Sequence, residues 1–223
     1  MSGKKTQTVL CYGDSNTWGY RPGDGMRFDE ETRWPRVLAG CLGSGFRVDE
    51  EGLNGRSLGS FVPPGNPANG KEYLAGLHET GGPYHVIILY LGINDLLQDH
   101  ELSAAALGKE LEGLIAEIYR IDASFEEEFR SKGFSKPEVI VLSPAPAVEE
   151  YTYEFPFQGL RERIRRTAEA MEKGCGKTGA VFVDTSHIIE ASSLDGVHLD
   201  ARNHLLLGNY LCDFLRNERF SGA

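Results

Sequence analysis

Five short, almost unbroken apolar runs, separated by longer stretches with helical spacing, constrain this chain more than any other feature. The runs cover residues 9–12, 46–48, 86–91, 139–142 and 181–183 and are rich in Val, Ile and Leu. A strand that is apolar at successive positions, rather than at alternate ones, has to be covered on both faces. The intervals supply the cover. Ser103 is placed to cap a helix whose Leu107, Leu111, Leu114 and Ile118 recur at helical steps. Residues 160–171 read as a charged surface helix, and a last helix carries Leu206, Tyr210, Leu211, Phe214 and Leu215. Such alternation predicts an α/β protein: a three-layer α/β/α sandwich of about five parallel strands. A length of 223 residues with no internal repeat suits one domain over residues 1–223.

Charge removes one class of partner. Asp and Glu number 33 against 23 Lys and Arg, for a net charge of −10. The arginines between residues 21 and 36 are interleaved with Asp24, Asp29, Glu30 and Glu31, so no basic face is available to displace counterions from nucleic acid. The cysteines, Cys11, Cys41, Cys175 and Cys212, lie far apart with no Cys-x-x-Cys pair, and are expected to be small buried thiols rather than a disulfide framework or a zinc site. The first apolar run is too short for a signal-peptide core and no run approaches a membrane span, so the expectation is a cytoplasmic protein without a membrane partner.

In parallel sheets of this kind ligands bind outside the carboxyl ends of the strands. Four polar, glycine-bearing loops are expected there: Gly13-Asp14-Ser15-Asn16-Thr17, then Glu50 to Ser57, then Gly92-Ile93-Asn94-Asp95, and last Asp195-Gly196-Val197-His198. They hold what acyl transfer through a serine requires, namely a hydroxyl, a base and donors for the oxyanion. Ser15 follows a strand and a glycine. Asp195 and His198 are close enough in the chain for the carboxylate to orient the imidazole toward Ser15. Asn94 offers a side-chain amide, and Gly55 a backbone N–H with no side chain in the way.

The blocks from Val9 to Gly19, around Gly55, from Leu91 to Asp95 and from Asp195 to His198 resemble the GDSL-type esterases of the SGNH-hydrolase superfamily, which have a flavodoxin-like fold. The resemblance implies Ser15 as nucleophile, His198 as base and Asp195 as its orienter. It implies an oxyanion hole of Ser15 N–H, Gly55 N–H and the Asn94 side chain, with no cofactor and no metal. Asn16 stands where the family's name-giving leucine is, a change expected at the pocket wall. The run from Gly13 to Tyr20, the Arg33-Trp34 pair and the residues around Gly55 are most similar to the arylesterase and acyltransferase branch. That similarity implies small acyl esters as substrates and a homo-oligomer that narrows the site. An acyl thioesterase or a carbohydrate deacetylase would use the same residues. A non-catalytic flavodoxin-like binding module is the remote alternative.

Several features compete with this assignment. Gly55-Arg56-Ser57-Leu58-Gly59 fits a nucleophile elbow, but an elbow needs a strand leading in and a helix leading out, and Pro63 and Pro64 follow. The stretch from Gly65 to Lys71 has phosphate-loop glycines but Glu72 in place of Ser or Thr. His204 is expected to pack on the last helix. His78, His85, His100 and His187 share no ligand spacing. Asp14 and Asp95 are expected to brace loops. Trp18, Trp34 and Tyr20 are candidate lining for the acyl pocket. Two long loops, 21–30 and 58–70, leave the sheet edge beside Ser15, and Leu58, Phe61 and Val62 in the second are expected to wall the pocket or meet another subunit.

Overall fold

The register of each strand accounts for its unbroken apolar run. The computed structural model describes residues 6–59, 62–99, 101–131, 133–148 and 159–219. Strands β1 (Gln7–Gly13), β2 (Phe46–Gly52), β3 (Val86–Tyr90), β4 (Glu138–Leu142) and β5 (Val181–Val183) pair in parallel in the order β2-β1-β3-β4-β5. Along β1, Leu10 and Tyr12 enter one core while Val9 and Cys11 enter the other. The same alternation recurs in β3, where Ile87 and Leu89 oppose Val86, Ile88 and Tyr90, and in β4, where Val139 and Val141 oppose Ile140 and Leu142. Two cores on one sheet leave no face for polar residues along the middles of β1, β3 and β4, whereas the edge strand β2 carries Arg47, Asp49, Glu50 and Glu51.

The helices are α1 (Ser15–Trp18), α2 (Trp34–Leu42), α3 (Gly70–Gly81), α4 (Ile93–Gln98), α5 (Ala104–Ser124), α6 (Glu126–Ser131), α7 (Leu160–Thr178) and α8 (Ala201–Phe214). Leu74 of α3, Leu107, Leu111, Leu114 and Ile118 of α5, and Ile164 and Met171 of α7 fill the first core. Trp34 and Leu38 of α2 with Leu207 and Leu211 of α8 fill the second. Ser103 caps α5 by accepting a hydrogen bond from Ala106 N–H at 3.2 Å. No helix among the described residues is long and apolar enough to cross a membrane.

Three expectations need correction. Glu50 and Glu51 belong to β2 and not to the loop after it. The Glu50 carboxylate is held in the strand by Arg33, at 2.7 and 3.1 Å, and by Arg27 at 3.1 Å. On α8, Leu206 and Tyr210 are exposed, and the inward face is His204, Leu207, Gly208, Leu211 and Cys212. The third concerns the cysteines. Cys11 and Cys175 are buried and free, but Cys41 and Cys212 form a disulfide, with Cα atoms 6.1 Å apart.

The bridge follows from helix packing. Gly208 lets α8 approach α2 so closely that a Cβ there would meet Val37 Cβ at 2.7 Å. Cys41 and Cys212 each lie four residues, one helical turn, beyond that contact. No local spacing could signal a pair 171 residues apart. Disulfides persist in oxidising compartments and are rare in the cytosol, so this pair weighs against the cytoplasmic expectation.

Between the same two helices, His204 is fully buried, with its Nδ1 placed 3.4 Å from Trp34 N–H and its Nε2 without a partner among the described residues. Burial pushes the imidazole pKa down to about 3. A histidine of the unfolded chain titrates near 6.5. Between those values the unfolded state carries a proton that the native state does not, so this contribution to stability is complete above about pH 6.5 and declines as pH falls toward 3. Asp14 and Asp95, with pKa values raised by burial to about 7 and about 6, act in the opposite sense, stabilising below the unfolded carboxylate value and losing that as pH rises through their own. The difference between the wild type and His204→Gln isolates the histidine. Urea unfolding from pH 7.5 to 5 is expected to show the wild type losing about 1.4 kcal/mol per pH unit relative to the variant below pH 6.5. Parallel stability curves would contradict a neutral buried His204.

Candidate active site

The strand order reverses between β1 and β3, and the loops leaving those two strands open the crevice in which the expected residues meet. Gly13 ends β1, and Asp14 caps the single turn of α1 by accepting from Asn16 N–H at 2.8 Å. Ser15 therefore sits at a helix N-terminus, where backbone N–H groups lack intrahelical partners. Gly52 is needed beside it, because a Cβ there would lie 2.1 Å from Trp18 N.

His198 arrives from the other end of the chain. Its Nε2 is 3.0 Å from Ser15 Oγ and its Nδ1 is 2.7 Å from Asp195 Oδ2. Asp195 Oδ1 accepts from Val197 N–H at 3.0 Å and from His198 N–H at 2.9 Å. Burial opposes the charge on Asp195, but the bonds from the His198 ring and from the two backbone N–H groups outweigh it and hold the carboxyl below its ordinary pKa. The aspartate stays ionised and faces the nitrogen that must keep its proton. A serine hydroxyl in such a chain can pass its proton to Nε2 as the oxygen attacks.

Gly55 and Asn94 lie on the segments that follow β2 and β3. Gly55 has a φ of +79° with open space where a Cβ would be, the backbone geometry of a loop that turns its peptide toward a ligand. Asn94, on the first turn of α4, donates to the Arg56 carbonyl at 3.0 Å. Its neighbour Asp95 accepts from Leu58 N–H with both carboxylate oxygens at 3.1 Å. Two successive residues of α4 thus hold the loop that carries Gly55. Arg56 completes the brace. Its guanidinium lies beside the stacked rings of Tyr12 and Tyr73, 4.3 and 4.9 Å from their centroids, and donates to the carbonyls of Gly13 and Glu51.

The candidate pocket residues are placed in different surroundings. Trp34 is fully buried in the core beneath α2 and α8 and has no open surface to offer. Asn16 is buried too, and its side chain bonds to Val197 and Leu199 instead of forming a wall. An adjacent position on a one-turn helix points about 100° away from Ser15, so nearness in sequence misleads. Trp18 is half-buried under the Arg27 guanidinium, 5.2 Å from its ring centroid. Tyr20 stacks on His198 with ring centroids 4.1 Å apart. Leu58 is core, Val62 is half-buried, and Phe61 lies outside the described residues.

The competing motifs are filled by structure. Ser57 is fully buried, its N–H donating to Ala68 O and its carbonyl accepting from Gly70 N–H, and among the described residues no helix begins between it and Gly70. Gly65 N–H is already taken by the Glu72 carboxylate at 2.9 Å. His85 bonds to Thr8, His187 is exposed, and His100 and the side chain of His78 lie outside the described residues. No group of three or more His, Cys, Asp or Glu among the described residues is arranged to hold a metal ion. A groove lined by Glu162, Arg165, His187 and Arg202 among others does not include Ser15 or His198.

The model of the GDSL-like lipase/acylhydrolase family matches residues 11–206. The chain belongs to that family. Among solved structures, this GDSL-family chain is similar to the aryl esterase of M. smegmatis, at 28% identity and TM-score 0.81, over 95% of this chain and 99% of that one. It is 33% identical to a carbohydrate acetylesterase family member from Sinorhizobium meliloti, with TM-score 0.82 over 95% and 98% of the two chains. A second S. meliloti carbohydrate acetylesterase is 25% identical, with TM-score 0.81 over 94% and 98%. Among curated proteins nothing matches the chain. The similarity covers nearly the whole of this GDSL-family chain, so its α/β/α fold and its esterase class rest on more than the motif blocks.

Proposed function

We propose that this chain is a serine esterase that hydrolyses short acyl groups from small esters through an acyl-enzyme on Ser15, and that it transfers them when an alcohol replaces water. The observation that carries the reading is the unbroken chain from Ser15 Oγ through His198 to Asp195, at 3.0 and 2.7 Å. Ser15 Oγ attacks the carbonyl carbon while its proton passes to His198 Nε2. The carbonyl electrons move to oxygen, where Ser15 N–H, Gly55 N–H and the free N–H of the Asn94 amide receive the charge. Collapse expels the alcohol, which takes the proton from His198 and leaves Ser15 esterified. Water then repeats the sequence and releases the acid. An acceptor alcohol in its place gives a new ester.

The similarity to carbohydrate acetylesterases supports a small acyl group and acetylated sugars as a second substrate class, and that to an aryl esterase supports an aryl leaving group. The homo-oligomer implied by the branch resemblance belongs to the same proposal, and light scattering reads it. The purified protein is expected to release p-nitrophenol fastest from the acetate in a series running to the octanoate. Activity is expected to fall on acidification, because imidazolium does not accept the serine proton. EDTA is expected to leave the rate unchanged. An organophosphonate should label Ser15, read by peptide mass. Turnover of no aryl ester, thioester or acetylated sugar would return the chain to a binding module.

A further inference from the structure

We infer that Asn16 is a positioning residue that sets the His198 imidazole against the Ser15 hydroxyl, an inference that rests on the esterase reading above. Its side-chain oxygen accepts from Leu199 N–H at 2.9 Å, and its amide nitrogen donates to the Val197 carbonyl at 3.3 Å. Those are the residues on either side of His198. The Asn16 amide therefore clasps the backbone that carries the imidazole. Asn16 follows Ser15 directly, and its own N–H is fixed by Asp14. One turn of chain holds both the nucleophile and the clasp for its base.

Residues 188–200 contain neither helix nor strand, and the segment is anchored at its two ends by Ala191 N–H on the Pro146 carbonyl at 3.0 Å and by Leu199 in the core. Its internal bonds run from Val197 and His198 N–H to Asp195, and from Ser192 N–H to the His198 carbonyl at 2.7 Å. These hold Asp195 and His198 together as a pair, but they do not locate that pair relative to β1. Tyr20 restrains the imidazole from one side, yet stacked rings slide in their planes at little cost. The two bonds from Asn16 are directional. Asn16 and Leu199 are both buried, so water does not readily replace the bond between them.

The residue type matters as much as the position. Val197 offers an acceptor and Leu199 a donor, and an amide answers both with its two ends. Leucine at this position has the same branched four-atom side-chain skeleton and answers neither. It would leave Leu199 N–H buried without an acceptor and free the His198 segment to shift. A displacement of about 1 Å between reacting groups costs on the order of 10²-fold in rate.

Wild type, Asn16→Leu and Ser15→Ala are compared on p-nitrophenyl acetate. Asn16→Leu is expected to lower kcat by about 10–100-fold with KM within about twofold of wild type. Its pH–rate profile is expected to shift, and the downfield proton signal of the His198–Asp195 hydrogen bond to move or broaden. Asn16→Asp keeps the acceptor for Leu199 and loses the donor, so it is expected to show the same split with a smaller fall, and it serves if the leucine variant does not fold. A folded variant with lowered Tm but wild-type kcat, pH profile and proton signal would reduce Asn16 to ordinary packing and overturn the inference. Inactive Ser15→Ala beside an unimpaired Asn16→Leu sinks this inference alone. Fully active Ser15→Ala sinks the esterase reading and takes the clasp with it.

Discussion

Ser15→Ala is expected to lower kcat by about 10³–10⁶-fold while leaving the fold and Tm close to wild type. The size of the loss follows from how the residues act. Ser15, His198 and Asp195 form one relay, so removing the nucleophile disables the other two as well. On the proposed mechanism, what would survive is an oxyanion site of the residue-15 N–H, Gly55 N–H and Asn94, polarising a carbonyl that water attacks unaided. Stability is spared because the Ser15 hydroxyl supports no part of the core. Its partner, His198 Nε2, is held by Asp195, Tyr20 and the Asn16 clasp whether or not Ser15 is present. The measurement is kcat on p-nitrophenyl acetate, with thermal unfolding as the control. A variant of Ser15 that keeps its activity while Ser57→Ala loses it would move the nucleophile to the rival elbow.

The strands and the site-bearing loops could be read from the sequence because both leave local signals. An unbroken apolar run means a strand covered twice, and a polar glycine-bearing segment just after it falls at the sheet edge. What could not be read depends on contacts between distant segments. Arg56 looks like one motif residue among several until the stacked rings of Tyr12 and Tyr73, from a strand and a helix, come up against its guanidinium. The Cys41–Cys212 bond follows from the close approach of α2 to α8 at Gly208. Trp34 and Asn16 looked like pocket residues because they belong to the site's motifs, yet the directions of their side chains send one into the core and the other to the backbone around His198. Leu58 looked out of place in a polar loop, but Asp95 draws that loop inward and buries it.

Asn94→Ala is expected to lower kcat by about 10²–10³-fold, or about 2.7–4 kcal/mol of transition-state stabilisation, with little change in KM. The amide has two N–H donors. One holds the Arg56 carbonyl at 3.0 Å, and the other remains for the oxyanion. The ground-state carbonyl carries little charge, so the lost donor is felt mainly as the tetrahedral intermediate forms, which is why kcat and not KM should report it. The substitution also frees the Arg56 carbonyl, adjacent to Gly55, so the second donor is less firmly aimed and the loss should fall toward the upper end of the range. Asn94→Asp separates charge from shape. It keeps the volume but sets a carboxylate where negative charge must develop, and it should be at least as slow as the alanine variant. A change confined to KM in Asn94→Ala would assign Asn94 to substrate binding. An Asn94→Asp enzyme faster than Asn94→Ala would remove Asn94 from the oxyanion site altogether.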